Sequence, residues 1–415
     1  MNHQPRIAFI SEHGSPLASL GGADSGGQNV YVGQLAKSLA ARGYQIHVFT
    51  RWENATLPLV VKWCPGVSVI HVKAGPQMVI PKEELLPCIA EFTQSIFDFI
   101  CTQKLEYELI HAHYFMSAMA AVQLKNLLNI PFIVVTFHSL GHVKRLHHGT
   151  DIRFLEERLQ IEKDVVKQAD YIVAECPQER EDLMNYYNAP SSKIVIIPGG
   201  FNPDEIYPIE KAVARKMLNI NTNRHILLLL GRMVPQKGID NVIHALSRLK
   251  IKDSQSVYLI VVGGESDNGN PTVCAETRRL QQLARENGLE TSISFVGRKN
   301  REQLKFYYSA ADIFITTPWY EQFGITVLEA MACRTAVIGA NVGGIKYTIV
   351  DGETGALVAP KDPNALASKI TELIDNTQLR EYMGNNGLKR VNGYFTWNHI
   401  AEQVSNVYMK MMTYT

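Results

Sequence analysis

Short runs of aliphatic and β-branched residues recur along the chain, and they alternate with longer stretches in which apolar residues follow a helical period. In the first half, this pattern predicts strands at residues 7–11, 45–50, 67–72, 109–112, 132–137, 171–175 and 194–197. In the second half, it predicts strands at residues 226–231, 258–263, 293–296, 313–316, 336–339 and 356–358. Such alternation is typical of parallel sheets whose strands are joined by crossover helices.

The pattern also divides the chain into two halves of similar size. It restarts after the turn Pro198-Gly-Gly-Phe-Asn-Pro203, where the two prolines and two glycines interrupt regular structure. We therefore predict an α/β fold with two doubly wound, Rossmann-like domains that face a cleft, at residues 1–200 and 201–393. A separate terminal segment, residues 394–415, is predicted to contain one last helix.

Composition and charge narrow the class of protein. The 415 residues include 41 Lys and Arg against 40 Asp and Glu, which gives no reason to expect a nucleic acid or an anionic membrane as partner. The six cysteines are scattered without a C-x-x-C pair, which favours reduced thiols over disulfides or zinc ligands. We find no signal-peptide pattern before the first strand and no apolar run of membrane-spanning length. A soluble cytoplasmic protein is expected.

Two carboxylates eight residues apart are the most informative chemical feature. Glu321 lies in a predicted loop that turns at Gly324, and Glu329 lies in a helix predicted to start near Thr326. The unpaired N–H groups of that helix start suit a diphosphate, and the carboxylates suit the hydroxyls of a sugar and a ribose. This pattern indicates a nucleotide-sugar site. An ordinary amphipathic helix with two solvated acids is the alternative reading of the spacing.

Further candidates follow other strands, where ligands of open α/β sheets bind. The segment Gly21-Gly-Ala-Asp-Ser-Gly-Gly-Gln-Asn-Val30 is a glycine-rich entry to a helix and is either a ligand loop or a flexible turn. It is not a G-x-G-x-x-G fingerprint, and no Walker lysine follows. After the strand at 226–231, Arg232 and Lys237 can neutralise a leaving diphosphate, with a solvated basic loop as the alternative.

Histidines and a basic stretch mark the first half. His138 follows a strand and is either a ligand of sugar hydroxyls or a satisfied buried histidine. Lys144 and Arg158 belong to a basic stretch that either holds an anionic acceptor or forms a solvated face. His111 and His113 have H-x-H spacing without an acidic helper, so structural or substrate roles are favoured over zinc binding.

Four motifs, taken together and in this order, resemble a known family over nearly the whole chain. They are Gly26-Gly-Gln-Asn-Val-Tyr-Val32, Gly231-Arg-Met-Val-Pro-Gln-Lys-Gly238, Glu321 to Glu329, and Gly343-Gly-Ile followed by Asp351-Gly-Glu-Thr-Gly355. The chain resembles retaining, nucleotide-sugar-dependent glycosyltransferases of the GT-B fold, the family of sucrose synthases, sucrose-phosphate synthases and mycothiol-pathway glycosyltransferases. The resemblance implies that the C-terminal helix crosses back onto the first domain.

The resemblance also implies roles for single residues. Catalysis would rest on His138, Arg232, Lys237 and Glu321. The nucleotide-sugar would be held by Gly26, Gly27, Gly231, Arg298, Phe323, Gly324, Ile325, Thr326 and Glu329. The acceptor would be held by Gln28, His113, Lys144 and Arg158. Arg334 and Ala336 depart from the family, which usually has Gly and Pro at these positions, and this departure affects the shape of the adjoining loop more than the chemistry.

The implied reaction is transfer of a hexose, glucose in the first instance, with retention of configuration. No Asp-x-Asp stands at the expected place, so no metal is expected, and cationic side chains would replace a divalent ion. No cofactor is expected, because the nucleotide-sugar is a substrate: a UDP-sugar foremost, with ADP- or GDP-sugar as further options.

The acceptor implied by the resemblance is a small phosphorylated molecule such as fructose 6-phosphate. The alternative within the family is a glycosyltransferase for a cell-envelope glycan, an exopolysaccharide or another small metabolite. Two other classes share the architecture: UDP-sugar epimerases and non-catalytic sugar-binding proteins. The pairing of Glu321 and Glu329 with Arg232 and Lys237 favours transfer over both.

Overall fold

A computed structural model describes residues 4–18, 26–148, 153–220, 223–249, 257–264 and 275–413. The described chain divides into two compact units. The first unit contains residues 4–18, 27–198 and 397–413, and the second contains Gly26 and residues 199–396. Residues 21–25 of the glycine-rich segment lie outside the described residues.

The first unit is built on one eight-stranded sheet. Its strands are β1 (Arg6–Ile10), β2 (Gln45–Arg51), β3 (Val60–Cys64), β4 (Val67–Val72), β5 (Leu109–His113), β6 (Phe132–Thr136), β7 (Tyr171–Ala174) and β8 (Ile194–Ile196). The strand order is β3-β4-β2-β1-β5-β6-β7-β8, and every pairing is parallel except the antiparallel pairing of β3 with β4. The pattern-based strands of this half are present, and β3 is an addition to them.

Helices join these strands in the first unit. They are α1 (Gly27–Ala40), α2 (Ile89–Thr102), α3 (Phe115–Leu128), α4 (Gly141–His148), α5 (Leu155–Gln168), α6 (Pro177–Tyr187) and, from the end of the chain, the helix Trp397–Met412. Short 3-10 turns occur at Lys82–Glu84, Leu86–Cys88 and Ser191–Lys193.

The second unit is built on a six-stranded, all-parallel sheet. Its strands are β9 (His225–Leu230), β10 (Val257–Val262), β11 (Ile293–Phe295), β12 (Ile313–Thr316), β13 (Ala336–Ala340) and β14 (Ala356–Val358), in the order β11-β10-β9-β12-β13-β14. Its helices are α7 (Lys211–Met217), α8 (Ile239–Leu246), α9 (Ala275–Glu286), α10 (Arg301–Ala310), α11 (Ile325–Ala332), α12 (Ile345–Thr348), α13 (Pro363–Asp375) and α14 (Thr377–Tyr394); the 3-10 turn Pro235–Lys237 follows β9. The terminal helix Trp397–Met412 is therefore α15.

Both sheets are buried on both faces, which explains their nearly continuous apolar strands. In the second unit, Leu227 and Leu229 of β9 point into one hydrophobic cluster, whereas Ile226 and Leu228 point into another. Successive side chains of a strand alternate between faces, so a central strand needs apolar residues at every position. A strand of this kind is recognisable from sequence as a short apolar run.

The strand orders place a topological switch point in each sheet. Connections lead away from β1 in both directions, so the switch in the first sheet lies between β1 and β5. In the second sheet, the corresponding switch lies between β9 and β12. Loops diverge at such a point and leave a crevice beyond the carboxyl ends of the strands, which is where open α/β sheets bind ligands.

The terminal helix α15 packs within the first unit. Tyr408 lies with its hydroxyl 2.6 Å from His111 Nδ1, and Ser405 Oγ lies 2.8 Å from the hydroxyl of Tyr44. The Trp397 ring meets the ring of Tyr31 edge-on, with centroids 5.2 Å apart. These contacts agree with the packing that the family resemblance implies for α15.

Among the described helices, none is both long enough and apolar enough to cross a bilayer.

Candidate active site

The loop after β9 brings Lys237 to the switch point of the second sheet. Gly231 and Arg232 follow the strand directly, and Lys237 closes the 3-10 turn Pro235–Lys237. Gly238 then adopts φ 65°, and a Cβ there would overlap the carbonyl oxygen of Thr317, the residue after β12. Only glycine lets this loop pass so close to its neighbour.

The loop after β12 supplies the partner of that lysine. Lys237 Nζ donates a hydrogen bond to Glu321 Oε2, and both side chains are half-buried. Gly344 N donates to the carbonyls of Glu321 (3.3 Å) and Gln322 (3.1 Å), so the Glu321 loop is fixed by the Gly343-Gly344 turn. A Cβ on Gly343 would overlap the Glu321 carbonyl oxygen. The glycine pair is thus required for the position of Glu321.

Helix α11 begins directly after this loop. Gly324 adopts φ 91° and Ile325 is the first helical residue, one position before the predicted start. Phe323 is buried against the chain at Gly199, where a Cβ would come within 2.9 Å of the Phe323 ring. The first turn, including Thr326, offers the orphan N–H groups of a helix start. The sequence thus located both the loop and the helix.

Glu329 is buried in α11 and already has two protein partners. Arg301 Nη1 lies 2.8 Å from Glu329 Oε1, and the hydroxyl of Tyr308 donates to Oε2 at 2.8 Å. Burial and the Glu329 carboxylate hold the pKa of Tyr308 well above its usual range, so this hydroxyl stays a donor. Burial opposes the charge of Arg301, but Glu329 and Glu205 raise the pKa of Arg301.

Although Glu329 has two protein partners, its carboxylate can still accept hydrogen bonds from a ligand. Each carboxylate oxygen can accept two hydrogen bonds, and one on each is used. The remaining lone pairs suit a ribose, and that role stays a prediction. Arg301 and Tyr308 were not among the residues singled out from sequence, because they come from a different helix, α10.

At the carboxyl ends of β5, β6 and β7, two histidines and a glutamate form a row of contacting side chains. His138 Nδ1 lies 3.3 Å from Glu175 Oε2, and His138 Nε2 lies 3.1 Å from His113 Nδ1. His138 has φ 56°, a left-handed backbone that is uncommon for a residue with a side chain. His113 ends β5, His138 is the second residue after β6, and Glu175 follows β7 directly, so the parallel sheet brings the three residues together.

The H-x-H pair of β5 has structural partners. His111 Nδ1 and Nε2 lie 2.6 Å from the Tyr408 hydroxyl and 2.9 Å from Thr136 Oγ1. Burial, aided by His138, lowers the pKa of His111 to about 3, so its ring is neutral. Within the described residues, no group of three or more His, Cys, Asp or Glu side chains is placed to hold a metal ion.

Arg158, predicted to bind the acceptor, is buried in an ion pair. Its Nε donates to Glu162 Oε1 at 2.7 Å, one helical turn along α5. Its Nη1 donates to the hydroxyl of Tyr114 at 3.1 Å, and its Nη2 donates to both oxygens of Ser139. Four of its five N–H donors are therefore engaged. The guanidinium has a clear structural role, and an anion would have to share it.

The remaining predicted residues are distributed over both units. Gln28, in the first turn of α1 next to Gly27, donates to Ser11 Oγ (3.2 Å) and to the carbonyl of His113 (3.3 Å). A Cβ on Gly26 would lie 3.9 Å from Arg232 Cδ. Lys144 is half-buried in α4, and Arg298 is half-buried after β11.

Arg334, where the chain departs from the family pattern, adopts φ 61°, a left-handed backbone conformation that glycine favours.

One cluster at the first switch point was missed. Glu12 follows β1 and is buried, with His13 Nδ1 2.6 Å from its Oε1 and the Ser117 hydroxyl donating to its Oε2. The His13 ring meets the ring of Tyr114 edge-on, with centroids 4.9 Å apart. A carboxylate directly after the first strand was the signal that could have identified it.

Both halves of the chain match known glycosyltransferase families. Residues 25–205 match the family described as "Glycosyltransferase Family 4", and residues 210–390 match "Glycosyl transferases group 1". The D-inositol 3-phosphate glycosyltransferase of Corynebacterium diphtheriae is 34% identical over 410 residues, covering 97% of this chain and 94% of that protein. The Corynebacterium jeikeium protein of the same name is 35% identical, covering 98% and 97%.

Solved structures give the same family. Sucrose-phosphate synthase from Thermosynechococcus elongatus superimposes with a TM-score of 0.91 at 35% identity, covering 99% of this chain and all of that one. Anabaena HepE in complex with UDP-glucose, at 20% identity, has the same fold with a TM-score of 0.76, covering 98% and 99% of the two chains. Together with the paired Rossmann-like units, these matches identify the protein as a glycosyltransferase of the GT-B fold, within the family that includes the D-inositol 3-phosphate glycosyltransferases and sucrose-phosphate synthase.

Proposed function

We propose that this glycosyltransferase moves a hexose, glucose in the first instance, from a nucleotide-sugar to a small phosphorylated acceptor with retention of configuration. The observation that carries the proposal is the pairing of Lys237 with Glu321 at the switch point of the second sheet. A cation and a carboxylate at this point suit the two parts of a sugar diphosphate: the phosphates and the sugar hydroxyls.

The pair also suggests how the donor is received. An arriving diphosphate attracts Lys237, together with Arg232 and the first N–H groups of α11. Glu321 is then released to accept hydrogen bonds from hydroxyls of the sugar, and Glu329 accepts from the ribose. Because the two opposite charges lie together, neither is left without a counter-charge in this half-buried place. UDP-glucose is the first donor to test, followed by ADP- and GDP-glucose.

The proposed chemistry exchanges one bond at the anomeric carbon. The bond to the leaving phosphate oxygen breaks through an oxocarbenium-like state, and a bond to the acceptor hydroxyl oxygen forms on the same face. The proton of that hydroxyl passes to the leaving phosphate, so no separate base is required. Arg232 and Lys237 stabilise the growing negative charge on the diphosphate, and the chemistry uses no cofactor.

Two relatives favour a phosphorylated acceptor, since one is named for D-inositol 3-phosphate and the other for sucrose phosphate. Fructose 6-phosphate is our first choice and inositol 3-phosphate our second. The acceptor phosphate would meet Lys144 and the remaining donor of Arg158. A cell-envelope or exopolysaccharide acceptor is the runner-up, because GT-B proteins of that kind, such as WaaG, share the fold.

The decisive experiment measures release of UDP, ADP and GDP from each nucleotide-glucose, with fructose 6-phosphate, inositol 3-phosphate, fructose or no acceptor. Release stimulated only by fructose 6-phosphate supports the first choice. Stimulation by inositol 3-phosphate alone moves the acceptor to the second. Slow release that no small acceptor changes would contradict the phosphorylated-acceptor proposal and favour the glycan alternative. The anomeric configuration of the product, read by NMR, tests retention.

The same assay separates transfer from epimerisation and from simple binding. A transferase releases nucleotide and product in equal amounts, whereas an epimerase converts the donor to another nucleotide-sugar without net release of nucleotide. A binding protein would leave the donor intact. We further propose a cytoplasmic location, which the free state of the described cysteines Cys64, Cys88, Cys101, Cys176 and Cys333 supports.

A further inference from the structure

Both ring nitrogens of His138 face protein groups. His138 Nδ1 lies 3.3 Å from the carboxylate of Glu175, and Nε2 lies 3.1 Å from Nδ1 of His113. The side chains of His138 and Glu175 are 8% and 6% exposed. An ionised carboxylate only accepts hydrogen bonds, so a hydrogen bond between these two groups requires a proton on His138 Nδ1.

The other contact of the ring agrees with this tautomer. His113 is fully buried, and burial together with His111 and His138 holds the pKa of His113 well below its usual range. A neutral His113 has one N–H donor. If its Nδ1–H donates to His138, its buried Nε2, which has no hydrogen-bond partner, is a bare acceptor. The opposite tautomer would leave a buried N–H without a partner, which is rarer in proteins.

Aromatic rings are further neighbours of the His138 ring, and they restrict its orientation. The ring of Tyr31, from α1, meets the His138 ring edge-on, with centroids 4.8 Å apart. On the far side of His113, the ring of His111 stacks at 4.4 Å and is itself bonded to Tyr408. His138 is therefore held from β5, α1 and the end of β7, although its backbone adopts the left-handed φ of 56°.

We propose that Glu175 is a positioning residue of the transferase: it acts through His138, fixing the Nδ1–H tautomer and the orientation of that ring. The inference rests on the proposed function, together with the catalytic role that the family resemblance implies for His138. Glu175 itself contacts His138. Its backbone N–H is held in turn by Glu179 Oε2 at 2.6 Å, which fixes the start of α6.

The first test needs no substrate and is NMR of the full chain labelled with ¹⁵N at histidine. A ring N–H bonded to a buried carboxylate gives a downfield proton signal that exchanges slowly with water. We expect such a signal on His138 Nδ1, assigned by its loss in His138→Gln. It should persist at a shifted position in Glu175→Gln, whose carbonyl still accepts, and disappear in Glu175→Leu. An unchanged signal in Glu175→Leu would overturn the pairing.

The second test is kinetic and uses the same variants. We expect kcat to fall at least about tenfold in Glu175→Leu, while KM for the nucleotide-sugar changes by less than about threefold, since an effect on positioning acts at the reacting geometry. Glu175→Gln should restore kcat to within about threefold of the wild type. Glu181→Leu, which removes an exposed carboxylate from α6, the helix that follows Glu175, is the matched control.

The two tests distinguish failure of the positioning role of Glu175 from failure of the proposed function. Loss of the NMR signal with an unchanged kcat in Glu175→Leu would overturn the positioning role and leave the proposed function intact. Failure of Glu175→Gln to restore kcat would also overturn it. An absence of transfer by the wild type would refute the proposed function, whereas the NMR test would still decide the pairing. If Glu175→Leu does not fold, His113→Leu and His113→Asn repeat the comparison from the other nitrogen, because the asparagine amide can replace Nδ1–H.

Discussion

Lys237 and Glu321 bond to each other across the switch point of the second sheet, although 84 positions separate them in sequence. Their loops follow β9 and β12, which are neighbours in the sheet only because the chain crosses from one side of β9 to the other. The two side chains form a half-buried ion pair. Any donor that contacts both groups must therefore compete with their mutual attraction, so the effects of changing one should depend on the other.

Lys237→Ala should lower kcat for nucleotide-sugar turnover by about 100- to 1,000-fold, the usual effect of removing one donor that stabilises transition-state charge. Arg232→Ala should act in the same direction. Initial rates of UDP release at saturating donor provide the measurement. Lys369→Ala, which removes a surface lysine paired with Glu372, is the control and should leave the rate unchanged. Essentially intact turnover in both site variants would refute the diphosphate role.

Glu329→Ala should destabilise the second unit as well as weaken nucleotide binding. The change removes the partner of Arg301 and leaves a buried guanidinium with less compensation, which costs about 3–5 kcal/mol. Urea unfolding monitored by a probe of the second unit measures this effect. Glu329→Gln retains an acceptor and should be milder. Equal stability of the alanine variant and the wild type would show that the Arg301 contact contributes little.

Lys144→Ala should raise KM for a phosphorylated acceptor by about 10- to 100-fold, the loss expected for one charge-assisted hydrogen bond. KM for the nucleotide-sugar should stay the same. The comparison with unphosphorylated fructose separates a phosphate contact from a general defect, since fructose should be unaffected. Lys163→Ala, on the exposed side of α5, is the control. A parallel rise in KM for fructose would exclude a phosphate contact.

Stability should decrease in mild acid because of buried neutral histidines. Burial lowers the pKa of His111 to about 3, and burial with Arg6 and Lys62 nearby lowers that of His47 to about 4. In the unfolded chain both titrate near about 6.5. Below that pH the unfolded state binds more protons, so the free energy of unfolding falls as the pH drops towards the folded pKa values.

Each such histidine contributes at most about 1.4 kcal/mol per pH unit to this loss. His111→Gln should reduce the slope between pH 6 and pH 5 by about 1 kcal/mol per pH unit relative to the wild type. Urea unfolding at both pH values supplies the comparison. Identical slopes would mean that His111 already takes up a proton in the folded state.

The fold was largely predictable because its central strands are buried on both faces. The strands His225–Leu230 and Val257–Val262 are apolar at every position except His225 and were located to within a residue. β3 (Val60–Cys64) was not predicted from the sequence because it is a half-exposed edge strand. Its lysine and tryptophan give neither a continuous apolar run nor a regular alternation of apolar and polar residues. Its antiparallel pairing with β4 also breaks the alternation of strand and helix.

The positions of the candidate site residues in the fold were predictable from sequence, whereas their protein partners were not, and the roles of these residues stay predictions. Glu321, Glu329 and Lys237 were located from strand ends and motif order. The buried partners Arg301 and Tyr308 could not be predicted, because no local sequence pattern indicates which residues of α10 contact α11. The Arg158–Glu162 pair was discoverable from its i,i+4 spacing, although spacing alone cannot show that the pair is buried.

The return of α15 to the first unit has a consequence for biosynthesis. Tyr31, Tyr44 and His111 leave the ribosome early, yet their partners in α15 are translated only after the whole of β9 to β14. The second unit is nearly continuous in sequence and can fold before synthesis ends, whereas the first must keep an apolar face of α1 uncovered until then. The first unit is therefore the first to begin synthesis and the last to complete its folding, and the nascent chain should depend on chaperones during that interval.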